Sequence, residues 1–153
     1  MLRLTRFFAV AVLLIAPLMA QTREDAKAFV KQAVAFAKAN PREAFLDEVT
    51  KPKGRFHFVK GQNQDLYIFV YDLQGVVLAH GVRQELVGNN RWNSKDPDGR
   101  FWIQEWTKLV KEKGSGWQDY KELNPAQGNK VMKKVSFVEL VNGMVIGCGI
   151  YQD

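Results

Sequence analysis

With 153 residues, 46% of them apolar and 25% charged, the chain has room for one domain around one core and the composition of a globular protein. Its formal net charge is +6, a modest excess. Lys51, Lys53, Arg55 and Lys60 gather near one loop, but no basic motif interleaved with aromatics accompanies them, so they read as a solvated face and no nucleic acid partner is expected. The single cysteine, Cys148, excludes an internal disulfide; between Gly147 and Gly149 it reads as a small buried hydrophobe.

Residues 1–20 form a unit of their own. Arg3 and Arg6 give a basic start, Phe7–Ile15 is an unbroken apolar run, Pro17 breaks it, and Leu18-Met19-Ala20 ends on a small residue. This is the pattern of a secretory signal cleaved after Ala20, and its removal lowers the formal charge from +6 to +4. The expected destination is the periplasm or the exterior.

Thr22-x-x-Asp25 is a capping-box-like start, and Ala26, Phe29, Val30, Ala33 and Ala37 follow at helical spacing. Asn40-Pro41-x-Glu43 predicts a second helix, capped by Asn40, running to about Val49 and ended by Lys51-Pro52-Lys53-Gly54. Arg55–Lys60 reads as a short extended segment with Phe56 and Phe58 on one side and His57 on the other. Leu66–Tyr71 is apolar or aromatic throughout, as in a strand covered on both faces, and Asp72–Gly75 turns it into an antiparallel Val76–His80. After an irregular stretch, Asp96 as cap and Pro97 at the first position predict a helix that Gly114 ends, with Trp102, Trp106 and Leu109 facing inward. Gly116–Leu123, Lys130–Leu140 and Met144–Tyr151 are three further strands. The order is that of one antiparallel sheet with helices packed on it.

Several residues carry a second signal in that order. They are Asp72-Leu73-Gln74-Gly75 with Ala79-His80, Gly88, Asp96-Pro97-Asp98-Gly99, Gly116-Trp117-Gln118-Asp119-Tyr120, Asn124-Pro125, Lys134-Val135-Ser136-Phe137 and Gly147-Cys148-Gly149-Ile150-Tyr151. In order and spacing they resemble the single Cache domain family, the PAS-like extracytoplasmic sensor modules of bacterial chemoreceptors and sensor kinases. The resemblance implies an α+β fold for residues 21–153: a five-stranded antiparallel sheet with N-terminal helices on one face and the helix-bearing segment between the second and third strands over the other. It also implies binding of a small metabolite, such as a short organic acid. As no membrane-spanning stretch follows residue 20 in the sequence, the expectation is a free-standing secreted version that acts through a separate membrane receptor or kinase, related to chemotaxis.

Catalysis finds no support. A hydrolytic nucleophile needs a base held by a third group, and two histidines with no nucleophile elbow do not supply that set. No zinc cluster, phosphate-binding glycine loop or dinucleotide fingerprint is present, so no cofactor is expected. Asp96, Asp98 and Glu105 fall at the third, fifth and twelfth places of a calcium loop, yet Ser94 stands first, and a helix cap explains Asp96 better.

A ligand pocket remains. A small anion needs a few converging donors in an otherwise apolar wall. The candidates are Tyr67 or Tyr71 on the first strand, His80 at the end of the second, Trp102 on the covering helix, and Trp117, Tyr120 and Lys134 on the later strands. Lys134 leads, as a cation among apolar strand neighbours at the place where the family pattern carries a lysine. Phe137 stands where that pattern more often has tyrosine, which removes a hydroxyl. Trp117 and Tyr120 are three apart and point to opposite faces of a strand, so at most one lines the pocket. The competing reading is a module that docks on another envelope protein, with Trp102, Trp117 and Phe137 filling the cavity.

Overall fold

Thr22 opens the first helix as its spacing predicts. Its hydroxyl accepts from the Asp25 N–H at 3.1 Å while the Asp25 carboxylate accepts from the Thr22 N–H at 3.0 Å. The computed structural model describes residues 21–60 and 66–152; the export segment read at residues 1–20 lies outside them. Among the described residues the order is α1 (Arg23–Ala39), α2 (Arg42–Thr50), β1 (Phe69–Asp72), β2 (Val77–His80), α3 (Trp102–Lys113), β3 (Ser115–Asn124), β4 (Lys130–Val141) and β5 (Met144–Gln152). No helix among them is long and apolar enough to cross a membrane. The strands form one antiparallel sheet in the order β2-β1-β5-β4-β3.

Side-chain alternation along the strands builds two cores, one on each face. On the first, α1 lays Ala26, Phe29, Val30, Ala33, Val34 and Ala37 across β4 and β5, and α2 adds Phe45 and Val49. These meet Ile68, Val70, Val135, Ile146 and Cys148 from the sheet. The Cys148 thiol is fully buried there, which pushes its pKa up to about 12 and keeps it an inert packing group. On the second face, α3 packs Trp102, Ile103, Trp106 and Val110 against Tyr67, Phe69, Tyr71, Tyr120, Val138 and Val145. Full burial of side chains of this size stabilises the fold by roughly 1.5–3 kcal/mol each.

Three local expectations are corrected. Asn40 ends α1 instead of starting α2: its Nδ2 donates to the Phe36 carbonyl at 2.9 Å, and Pro41 takes the N-cap place of α2 without a side-chain cap. Asp96 does not cap α3, which begins at Trp102. The Asp96 Oδ1 accepts instead from the N–H groups of Asp98 and Arg100, both at 2.9 Å, and closes a turn with Gly99 at φ +83°. Asp-Pro-Asp-Gly satisfies its own backbone as a turn, and that local bonding wins over a helix start. Phe56 and Phe58 do not share a side. Residues 54–57 turn, so that Phe56 enters the first core and Phe58 packs on the second.

The turn at Asp96 has a further use, because β3 is an edge strand whose free backbone groups invite pairing with another chain. Asp96 Oδ2 accepts from the Lys121 N–H at 3.3 Å, Arg100 donates to the Asp119 carbonyl at 2.6 Å, and Lys121 pairs with Asp98 at 2.7 Å. Glu105 in turn pairs with Arg100 and accepts from Gln118 Nε2 at 2.9 Å. The carboxylates of the calcium-loop pattern are thus held by N–H groups and cations of the protein.

Gly147 and Gly149 point to the α3 face of β5, where a methyl at 147 would run into the Phe69 ring. Gly→Ala in a strand ordinarily stabilises slightly through the unfolded chain. Here, Gly147→Ala should lower the urea midpoint by the equivalent of about 1–3 kcal/mol, the cost of overpacking a full core. An unchanged midpoint would show that Phe69 has another place to go.

Candidate functional site

Strand register assembles the site. Lys134 on β4 lies opposite Tyr120 on β3 and Tyr151 on β5, so the three cross the α3 face as one row. Gly149, diagonal to Lys134, has no side chain; a Cβ there would stand 2.9 Å from Lys134 Cε. That gap lets the lysine stem lie across the sheet. The ammonium ends among four rings, 4.9 Å from the centroid of Tyr151, 5.1 Å from Tyr67, 5.6 Å from Phe69 and 6.0 Å from Tyr120. It donates to the Tyr67 hydroxyl at 2.9 Å.

Lys134 is 2% exposed, and among the described residues no carboxylate lies within ion-pair distance of it. Burial works against its charge, but the phenol oxygens of Tyr120 and Tyr151 and the more distant Glu122 carboxylate outweigh it and hold its pKa above the usual lysine range. The Lys134 amine is met by ring faces and one hydroxyl, with no anion beside it among the described residues.

The surrounding groups are mostly donors. His80 Nδ1 accepts from the N–H groups of Val82 and Arg83 at 3.2 and 3.0 Å, so the proton of the neutral ring sits on Nε2. Burial, followed by the Lys134 charge, pushes the His80 pKa well below its usual value. Its ring lies 5.3 Å from that of Tyr67 and 6.4 Å from that of Phe69. Trp102 stacks on Tyr120 at 5.9 Å, and Trp106 stacks on Phe69 at 5.1 Å. Both indole N–H groups are buried without a hydrogen-bond partner among the described residues. Tyr71 meets Trp106 edge-on at 5.3 Å, and burial pushes its phenol up to about 12.

Of the sequence candidates, Tyr71, His80, Trp102, Tyr120 and Lys134 thus share one face. Trp117 lies on the other, where it packs edge-on against Phe137 at 5.2 Å under Arg23. Beside the Lys134 cage opens a cavity of about 480 Å³, walled by Phe58, Tyr67, Val82, Asn124, Met132 and Tyr151 among others. Tyr67 and Tyr151 belong to both, contacting the ammonium and lining the cavity. Sequence reasoning weighed Tyr67 but missed the site role of Tyr151. Period-two alternation through Gly147, Gly149 and Tyr151 was the available signal.

Residues 18–153 fit the family described as Single Cache domain 2. The chain belongs to that family. Three solved structures share the fold of this Cache domain. A methyl-accepting chemotaxis protein from Vibrio parahaemolyticus RIMD 2210633 superposes with a TM-score of 0.71 at 23% identity, over 86% of this chain and 88% of its own. A Cache chemosensory domain described for carboxylic acid recognition gives 0.68 at 28% identity, over 87% of this chain and 100% of its own. The periplasmic sensor domain of a chemotaxis protein gives 0.65 at 28% identity, over 85% and 90%. Cache domains of this kind are sensory modules.

The state of His80 gives this Cache domain a pH dependence of known sign. Its folded pKa is depressed, so below the unfolded value of about 6.5 the unfolded chain binds a proton that the folded chain refuses. Stability should be flat above that pH and fall below it, by up to about 1.4 kcal/mol per pH unit. His80→Asn keeps an acceptor for the two N–H groups and should flatten the slope between about pH 6.5 and 4.5. A slope unchanged in the variant, measured by thermal melts across that range, would assign it to other groups.

Proposed function

We propose that this Cache domain binds a small carboxylate outside the cytoplasmic membrane and reports it to a separate membrane receptor or kinase. The observation that carries the reading is the Lys134 ammonium, 2% exposed with no carboxylate in ion-pair distance among the described residues. A buried cation calls for an opposite charge, and a ligand carboxylate supplies it. The charge-assisted bond to Lys134 would be the anchor. The Tyr67 hydroxyl, which now accepts from Lys134, would turn its own proton towards the incoming oxygen. The neutral His80 ring, with its proton on Nε2, is a further donor on the same face.

Two comparisons support this reading. One structural relative, 28% identical over its whole length, is described by its recognition of carboxylic acids, and another, also 28% identical, is a periplasmic sensor domain. No step of catalysis is assigned to these residues: Lys134 and the phenols would hold a ligand, and no nucleophile stands among them.

A ligand that binds only the folded state raises the melting midpoint with its concentration. In a thermal-shift screen of small carboxylates, amines and amino acids, the carboxylates should raise the midpoint and amines should not. Lys134→Met, which keeps the length of the stem and removes the charge, should weaken carboxylate binding at least tenfold, the worth of one charge-assisted bond. Binding that survives this substitution would place the carboxylate elsewhere. No shift with any acid would instead favour a domain that docks on an envelope protein.

A further inference from the structure

Lys134 is buried, so a ligand reaches its ammonium only after part of the surrounding structure moves. On one side α3 covers the site, with Trp106 stacked on Phe69 and Trp102 on Tyr120. On the side of Tyr67 and Tyr151 runs the chain that leaves β2. It is fixed at Gly81, whose N–H donates to the Ile68 carbonyl at 2.9 Å, and again at Gly88, whose N–H donates to the Val77 carbonyl at 2.9 Å. Between these points lie Val82–Val87, and none of the six residues is buried.

Hydrogen bonds hold this segment, and one set of them spans the sheet. The N–H groups of Val82 and Arg83 donate to His80 Nδ1, and Gln84 Nε2 donates to the Thr50 carbonyl. The Arg83 guanidinium reaches from the β2 edge to β3, the opposite edge strand. There it meets the Glu122 carboxylate at 3.4 Å and the Leu123 carbonyl at 2.8 Å. The Tyr151 hydroxyl donates to that same carbonyl at 2.7 Å. Glu122 pairs with Met132, one row past the row of Tyr120, Lys134 and Tyr151. Arg83 therefore crosses the end of the Lys134 row and fastens beside a tyrosine whose ring touches the ammonium.

Val82, Tyr67 and Tyr151 also line the cavity of about 480 Å³, and Lys134 is not among its described wall residues. The two tyrosines thus stand between open space and the buried amine. A segment without buried side chains opens at a lower free-energy cost than the sheet beneath it, and lids are drawn from such segments. The Arg83 and Glu122 side chains are only 16% and 15% exposed, so water screens this pair less than an exposed one.

Resting on the reading that Lys134 takes a ligand, we propose that Val82–Val87 is a strap controlling access to it, with Arg83 as the latch between the two edges of the sheet. Opening frees Arg83 from Glu122 and from the carbonyl it shares with Tyr151. Tyr67 and Tyr151 then part and admit a small anion from the cavity side.

Hydrogen exchange and pulsed acylation of the purified chain, both without ligand, test this. In Arg83→Met and in Glu122→Gln the amides of Val82–Val87 should exchange about tenfold faster, the worth of one charge-assisted bond, while those of β4 and β5 keep their rates. Acylation of Lys134, read by peptide mass spectrometry against the exposed Lys108, should quicken by a similar factor. Unchanged Lys134 acylation in both variants would overturn the inference even with faster strap exchange, and unchanged strap exchange would remove Arg83 as the latch. Faster exchange throughout β4 in both variants would also contradict it, because Arg83 would then be holding the sheet and not the strap. No carboxylate is used, so each of these failures leaves the carboxylate reading standing. That reading falls separately, if Lys134→Met binds small acids as well as the parent chain does.

Discussion

The Lys134 ammonium is a full charge placed where water does not reach, and the α3 face of the sheet is arranged around it. Four rings stand 4.9–6.0 Å from it and one phenol oxygen accepts a hydrogen bond from it. Each ring face offers roughly 0.5–2 kcal/mol of attraction to a desolvated cation. Together they hold the charge, but none is an anion, and a ring quadrupole is a weak substitute for a carboxylate. The same face carries two indole N–H groups without partners among the described residues and a histidine whose Nδ1 accepts two backbone N–H groups. Buried donors without acceptors are costly, and such groups persist where a binding site needs them.

The fold supplies this arrangement through backbone features that a family of sequences could share. The register that aligns Tyr120, Lys134 and Tyr151 follows from two long antiparallel pairings, β3 with β4 and β4 with β5. The Gly147 and Gly149 gaps let Phe69 and the Lys134 stem lie flat on the sheet. On the opposite face, α1 and α2 give an ordinary apolar core that asks for no ligand. One face thus is an apolar core, and the other carries the buried lysine and its ring of aromatic side chains. The Asp96 turn keeps the edge of β3 from pairing outward, by Lys121, Asp98, Arg100 and the Asp119 carbonyl.

The elements with a repeating signal were legible in the sequence. The stripe of α1, the opposite orientation of Trp117 and Tyr120, and the three C-terminal strands all rest on periodicity, which burial enforces over many residues at once. Single-residue punctuation was less legible. Asn40 and Asp96 each have two competing uses for one side chain, and only the placed backbone decides which N–H or carbonyl is in reach. Lys134 was legible because the family pattern carries a lysine at its place in the strand. The cavity was not, because Phe58, Val82, Asn124 and Met132 come from separate segments and meet only in three dimensions.

The most direct test of the central claim is a crystal structure of the chain with a bound carboxylate. The account predicts a carboxylate oxygen about 2.7–2.9 Å from Lys134 Nζ, with Tyr67 displaced or turned to share it. A carboxylate bound with its oxygens away from Lys134, or an ammonium still held by Tyr67 alone in the complex, would contradict it.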